Sequence, residues 1–550
     1  MDGETSPLLT PTPTIYSNDS DSYHVSQDPR ASFSWLIPVV VMASLSDALT
    51  TSSRHSFFRQ YVCEEIGGLP PHDPPLLHDD GFTSTAFSRL DCSGPPLSSG
   101  ILSINVASMI VTCLLSGLST GWWSRFGDMH GRRYALMISV FGSLLLNLIF
   151  ILITRSPALE GLAQPCIFIG LLLEGLLGGS ATLQGAVHAY TADVSPAGSW
   201  SAMFSVLQGL FLLCTVLGSG IGLGANLFSP FFSFSISSAL GIMNFAFISF
   251  FLPESLPDDF RVDRLAKPTL KDVRSSIYST ATSFASSHRL TFYGLAFFIY
   301  SLTMKVESFE LLIILRTGSA GFFLTTSLLA RMATFFILFP ALIFLLKRRT
   351  PLSLATSTKQ YFTSVLRVDG TAARFSVFAS LLSQLIITVI PTSSSAIFLL
   401  LALMTPLTLG IKPALYALSA VSSEANGDAA KRGALFGAIS VVGMVGETLS
   451  YIMYVSLYTS LSQSSVKAGF ILTAALLTVV GVFLWPGRGS RGESAERVIP
   501  RNNTPERIRI VVSDETVRRG QDLLDPDMFS PVYRRHREGG AGSSETGDAH

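Results

Sequence analysis

Apolar and polar positions alternate in long blocks along this chain. Twelve apolar stretches, each near the roughly 20 residues needed to cross a bilayer, recur at 33–53, 101–123, 134–154, 163–190, 202–226, 229–252, 290–312, 321–346, 374–391, 395–420, 433–458 and 467–486. The chain is therefore expected to be an all-α membrane protein of twelve transmembrane helices. The seventh stretch is the least regular, because Lys305, Glu307 and Glu310 interrupt it.

The polar links then orient the chain. Bases cluster after the second stretch (Arg125, Arg132, Arg133), the sixth (Arg261, Arg264, Lys267, Lys271, Arg274), the eighth (Lys347, Arg348, Arg349, Lys359, Arg367) and the tenth (Lys431, Arg432). The alternate links hold few. Cytosolic links are the basic ones, so even-numbered spans end inside and both termini are cytosolic. The polar link 253–289 divides six spans from six, which predicts two pseudo-symmetric six-helix bundles, 33–252 and 290–486, with a site between them. Pro253 and Pro257 close the first bundle, since proline does not continue a helix. Residues 54–100 form an extracytosolic loop in this reading. The tails 1–32 and 487–550 have the low apolar content of disordered segments.

Composition narrows the class. Apolar residues make up 48% of the chain and charged residues only 14%, well under the share of a soluble protein, and the net charge of zero gives nucleic acid no electrostatic footprint. Of five cysteines, Cys63 and Cys92 flank the Pro/Asp-rich loop and are either bridged there or free thiols. The sequence shows no metal-ligand spacing, no Gly-x-Ser-x-Gly elbow and no Walker motif. No metal site, cofactor or enzymatic activity is expected.

Ionisable groups inside spans are costly and mark functional candidates. Asp47 lies in the outer half of span one; Glu174 and Glu447 fall near the middle of spans four and eleven. Burial disfavours the charged form of a carboxyl group, which lets it take up and release a proton. His188, near the inner end of span four, serves either proton transfer or helix packing. Arg331 in span eight needs a counter-charge, and Glu307 or Glu310 of span seven can supply it if that span extends so far. Lys412 in span ten either snorkels to the interface or contacts an anionic substrate.

One short run carries the best family signal. Asp128-Met129-His130-Gly131-Arg132-Arg133 resembles the signature between helices two and three of the major facilitator superfamily, with Ser124 in place of its first Gly and Met129 in place of the base after the Asp. Glu174–Gly179 followed by Ala189–Ser195 is similar to helix four of the branch holding tetracycline-efflux and proton-coupled folate carriers, and Phe251–Leu256 resembles the end of helix six in fungal members. The helix-five antiporter signature appears only as Gly218-Ser219-Gly220-Ile221-Gly222, without its Pro. Ser199-Trp200 stand where the family places an Arg. The resemblance implies a monomeric carrier of a small solute in the plasma or vacuolar membrane, with protons as coupling partner and alternating access as mechanism. It also implies a latch in which Asp128, Gly131, Arg132 and Arg133 hold the start of span eleven, near Gly433 and Ala434. The alternative is a transporter-shaped nutrient receptor that binds solute without net flux.

Overall fold

A computed structural model describes residues 31–67, 95–156, 162–256, 284, 287–306, 320–349, 358–389, 409–425, 431–460 and 467–485. Their regular structure is helical. In chain order the helices are α1 (Phe33–Gly67), α2 (Pro95–His130), α3 (Arg132–Arg155), α4 (Ala163–Leu176), α5 (Gly179–Val194), α6 (Trp200–Phe228), α7 (Pro230–Phe250), α8 (His288–Ser301), α9 (Ala320–Ala333), α10 (Phe339–Arg349), α11 (Thr358–Val389), α12 (Ile411–Ala425), α13 (Arg432–Ser460) and α14 (Lys467–Leu484). Helices α4 and α5 are two parts of one span, as are α9 and α10. Among the described residues, nine spans are long and apolar enough to cross a membrane. Their outer faces carry large apolar side chains in the open, such as Leu114 (63% exposed) and Leu152 (54%), which in water would be a liability and in lipid is the solvated state.

α1, α6 and α7 pack together and α3 packs on α7, while α11 packs on α12 and α14 in the second half. The halves meet where α13 crosses α2 and α5, and where α12 lies on α6. The core of this junction is apolar: Ala189, Trp200 and Phe204 from the first half join Phe297, Tyr416 and Phe436 from the second. A Cβ on Gly185 would lie 3.0 Å from the Cα of Gly437, so α5 and α13 touch backbone to backbone across the junction.

Three elements depart from the expected spans. α1 does not stop at 53 but runs to Gly67. Phe57 and Phe58 pack edge-on to Phe150, and Arg54 Nη2 donates to Asn147 Oδ1 at 3.2 Å, so polar sequence is held helical by α3. Span four is interrupted after Leu176, where Gly178 and Gly179 have φ of 97° and 52°. The carbonyls this frees are taken by α2: Ser119 Oγ donates to Gly175 O at 2.6 Å, Trp123 Nε1 to Leu176 O at 2.9 Å and Ser116 Oγ to Gly178 O at 2.6 Å. Span nine begins at Thr358 rather than 374, so Lys359 and Arg367, expected in a link, are helical. Its charges hid it. Arg374, for instance, turns inward to donate from Nε to Leu484 O at 2.9 Å, satisfying the C-terminal end of α14.

Candidate functional site

The tight link between α2 and α3 is built by Gly131, whose φ of 122° only glycine adopts without strain. A side chain there would also strike the Glu254 carboxylate. That carboxylate accepts from the backbone N–H of Arg132 at 2.8 Å and of Arg133 at 3.2 Å, filling two of the open donors at the start of α3. Arg133 contributes through its backbone. The Arg132 guanidinium, 1% exposed, bonds the Asp128 carboxylate through Nη1 and donates from Nε to Asp193 Oδ2 at 2.9 Å.

Asp128 in turn reaches across to the second half. Its Oδ1 accepts from Gly433 N–H and its Oδ2 from Ala434 N–H, each at 2.8 Å. This bidentate cap sits on the first turn of α13, where a carboxylate meets both open amides and the positive end of the helix dipole. Gly433 has to be glycine here, since a Cβ would run into both Asp128 and Arg132. The network continues through Arg432, which bonds Asp193 Oδ1 at 3.1 Å and Glu424 Oε1 at 3.1 Å and lies over the Trp200 ring at 5.5 Å. Asp193, Glu254, Glu424 and Arg432 were not singled out as site residues from the sequence. Only their charge near span ends signalled them.

One departure from the family signature finds its reason here. Ser124 stands where the signature has Gly, and the residue facing it across the junction is Gly437, on which a Cβ would collide with the Ser124 side chain. The small residue has moved to the other helix. A second junction lies at the start of α6, where Gly198 N–H donates to the Tyr361 hydroxyl at 3.2 Å. Close by, Asp369 is 1% exposed, and neither carboxylate oxygen has a hydrogen-bond partner among the described residues. Sequence reading placed 369 in a link and so missed it.

Deeper in the junction a cavity of about 40 Å³ opens between α5, α8, α12 and α13, lined by Ser180, Gln184, Phe297, Lys412, Tyr416, Ser440, Met444 and Glu447. Lys412 Nζ and Glu447 Oε1 stand 3.6 Å apart on its wall. Two candidates from different spans thus meet, and Lys412 turns inward rather than snorkelling. His188 lies beside the cavity, fully buried. Its ring stacks on Tyr416 at 4.1 Å, its Nδ1 donates to Gln184 O at 2.6 Å, and its Nε2 is 3.2 Å from Gln208 Nε2. Since a carbonyl only accepts, Nδ1 carries the hydrogen and Nε2 accepts from Gln208. In this geometry His188 packs in the junction with both ring nitrogens engaged.

The remaining candidates lie elsewhere. Glu174 is buried inside the first half, away from the cavity lining, and accepts from Ser143 Oγ at 3.4 Å. Asp47 is exposed on α1, and its backbone carbonyl accepts from the Thr50 and Thr51 hydroxyls. Lys305 is half-buried at the end of the seventh span, where its N–H donates to Ser450 Oγ at 3.1 Å, and Arg331 is half-buried in the last turn of α9. Glu307, Glu310, Cys92 and the side chain of Cys63 lie outside the described residues, as do the tails and most of the 253–289 link. Among the described residues no cluster of His, Cys, Asp and Glu has the makings of a metal site.

A helical membrane bundle in two halves, latched at one end and enclosing a polar cavity at their junction, is the architecture of a major facilitator. Residues 37–276 match the family model "Sugar (and other) transporter". The chain is 30% identical over 142 residues to the class B tetracycline resistance protein of Escherichia coli, covering 26% of this chain and 33% of that protein. It is 23% identical over 216 residues to the MFS-type transporter avaJ of Aspergillus versicolor, covering 39% and 40% of the two. The matches thus span a third to two fifths of those relatives. Among solved structures, the human organic anion transporter MFSD10 superposes with a TM-score of 0.54 at 15% identity, over 82% of this chain and 99% of that one. The E. coli fucose:proton symporter FucP gives 0.51 at 13% identity, over 82% and 97%. The fold is that of solved major facilitator transporters, and the sequence match to a transporter family lies in the first half of the chain.

Proposed function

We propose that the protein is a secondary active carrier of a small solute that works by rocking of its two halves about the cavity at their junction. The observation that carries this reading is the pairing of a polar cavity between the halves with a latch that closes one end of the same junction. The cavity has room for little more than one or two water molecules, so a solute enters only when the halves separate. The Asp128 cap on α13 must break for that separation at its own end, which by the distribution of basic links is the cytosolic one. Alternating access between two packings of rigid bundles follows from such a construction.

Coupling to protons is the finer part of the proposal. A fold neighbour is a fucose:proton symporter, and the chain carries carboxylates within its spans at Asp47, Glu174 and Glu447. Of these, Glu447 lines the cavity and is the coupling group of choice; Glu174 is buried within one half, in electrostatic reach of Arg54 and of the exposed Asp47. The test is reconstitution of the full chain into vesicles and measurement of solute accumulation under an imposed pH gradient. Accumulation that collapses with the gradient supports a proton-coupled carrier. Solute binding without flux overturns it in favour of the receptor reading.

A further inference from the structure

We infer that Lys412 and Glu447 form an exchange pair: a small organic anion takes the lysine when a proton takes the glutamate. The inference rests on the carrier reading of the cavity and names its substrate class. Among the described residues, Lys412 is the one cationic side chain in the cavity lining and Glu447 the one acidic one. Their contact is loose, at 3.6 Å, with the two side chains 13% and 35% exposed. At 3.6 Å the pair is beyond hydrogen-bond distance, so a carboxylate, sulfonate or phosphate that bonds the ammonium directly displaces Glu447. Displacement with Glu447 still ionised would leave two like charges beside one ammonium in a cavity of about 40 Å³. A proton on Glu447 removes that penalty.

The lining suits an anion in another respect. Ser180, Gln184, Tyr416 and Ser440 line the cavity with hydroxyl and amide groups, and the buried Ser440 hydroxyl lies beside that of Tyr416. The groups facing the pair from neighbouring helices do not compete for the proton. Tyr416 of α12 and His188 of α5 are stacked on each other with the histidine hydrogen-bonded at both nitrogens, Lys305 follows α8 and bonds Ser450 through its backbone, and Cys113 of α2 lies by Thr448.

The cycle balances. The solution on the open side supplies one proton to the Glu447 carboxylate and one anion to the Lys412 ammonium. On the other side both leave, and Glu447 returns to Lys412. A monoanion thus crosses with one proton and no net charge, whereas a neutral solute leaves the pair closed and uncoupled.

The test uses the full chain in nanodiscs and two scaffold-matched sets of probes: gluconate, glucose and glucosamine, and benzoate, benzamide and benzylamine. Binding is read by thermal shift and calorimetry at pH 5.5 and 7.5. The expected result is binding of an anionic member only, at least about 10-fold tighter at the lower pH. Lys412→Met abolishes it, Lys412→Arg retains it, and Glu447→Gln makes it tight and independent of pH. Binding of only neutral or cationic members, anion binding that survives Lys412→Met, pH dependence that survives Glu447→Gln, or no binding of any member overturns the exchange. Flux of a neutral probe overturns the exchange while leaving the carrier standing. Anion binding with the expected pH response but no flux in vesicles supports the exchange and sinks the carrier.

Discussion

At the residue scale, the Asp128 carboxylate does two things at once, and its surroundings show why no other side chain serves. It is short enough to cap the first turn of α13, and it keeps a guanidinium as neighbour. Asp128→Asn keeps the shape but replaces one acceptor with a donor that faces an N–H. Loss of a charge-assisted hydrogen bond of about 1.5–3 kcal/mol shifts the balance between latched and unlatched forms by roughly 10- to 150-fold. We expect normal membrane insertion, faster labelling of a cysteine placed at the Asp128 end of the junction, and slowed transport; unchanged labelling rejects the latch. Gly433→Ala should have the same effect, because its methyl occupies the space of Asp128 and Arg132. The double variant should be no worse than either single one, since both remove one interaction. The sequence disclosed Asp128 because its motif is six consecutive residues, and disclosed the distant target at Gly433 and Ala434 only through the family resemblance. It did not disclose Asp193, Glu254, Glu424 and Arg432, which lie far apart in the chain and become one network only through packing.

At the element scale, the glycines of the fifth span divide by what they face. In α6, Gly218 and Gly222 lie against α1: a Cβ at 218 would meet Ala48 Cβ at 2.7 Å, and one at 222 would strike the Leu49 carbonyl. Gly220 and Gly224 have nothing within 4 Å. Gly222→Ala should therefore destabilise the first half by about 1–3 kcal/mol through overpacking. Gly220→Ala should be neutral or slightly stabilising, since alanine is the better helix former. A denaturation series in detergent on the two variants checks this, and equal effects would refute the packing assignment. Arg374→Met should lower stability by about 1–2 kcal/mol by leaving the end of α14 without its donor. Sequence periodicity located every one of these helices, but it erred where polar residues continue a helix, as in α1 beyond Ser53 and in α11 before Arg374. Hydropathy registers contact with lipid, and those stretches are held by contact with protein.

At the scale of the whole molecule, the junction between halves is a stack of three layers. The ionic latch lies at one end, the aromatic layer of His188, Phe204, Tyr416 and Phe436 follows, and the cavity with Lys412 and Glu447 opens beside it. Opening at the latch end must part the first two layers together. His188→Leu, which keeps bulk but loses the contact with Gln208, should loosen this closed form with little effect on fold. Increased accessibility of a cysteine substituted at Ser440 from the cytosolic side would show it, and unchanged accessibility would place the seal elsewhere. By itself the sequence determined the membrane solvent, the helical class, the approximate position of the nine spans described and the latch motif, because each is written in a continuous stretch. Only the tertiary structure decided which buried charges meet. It brought Lys412 to Glu447, sent Glu174 into the interior of one half, engaged both ring nitrogens of His188 and revealed Asp369 as an unexpected buried carboxylate. Those outcomes depend on which faces of distant helices turn toward each other, and a helix carries its polar residues through every rotation equally well until a neighbour selects one.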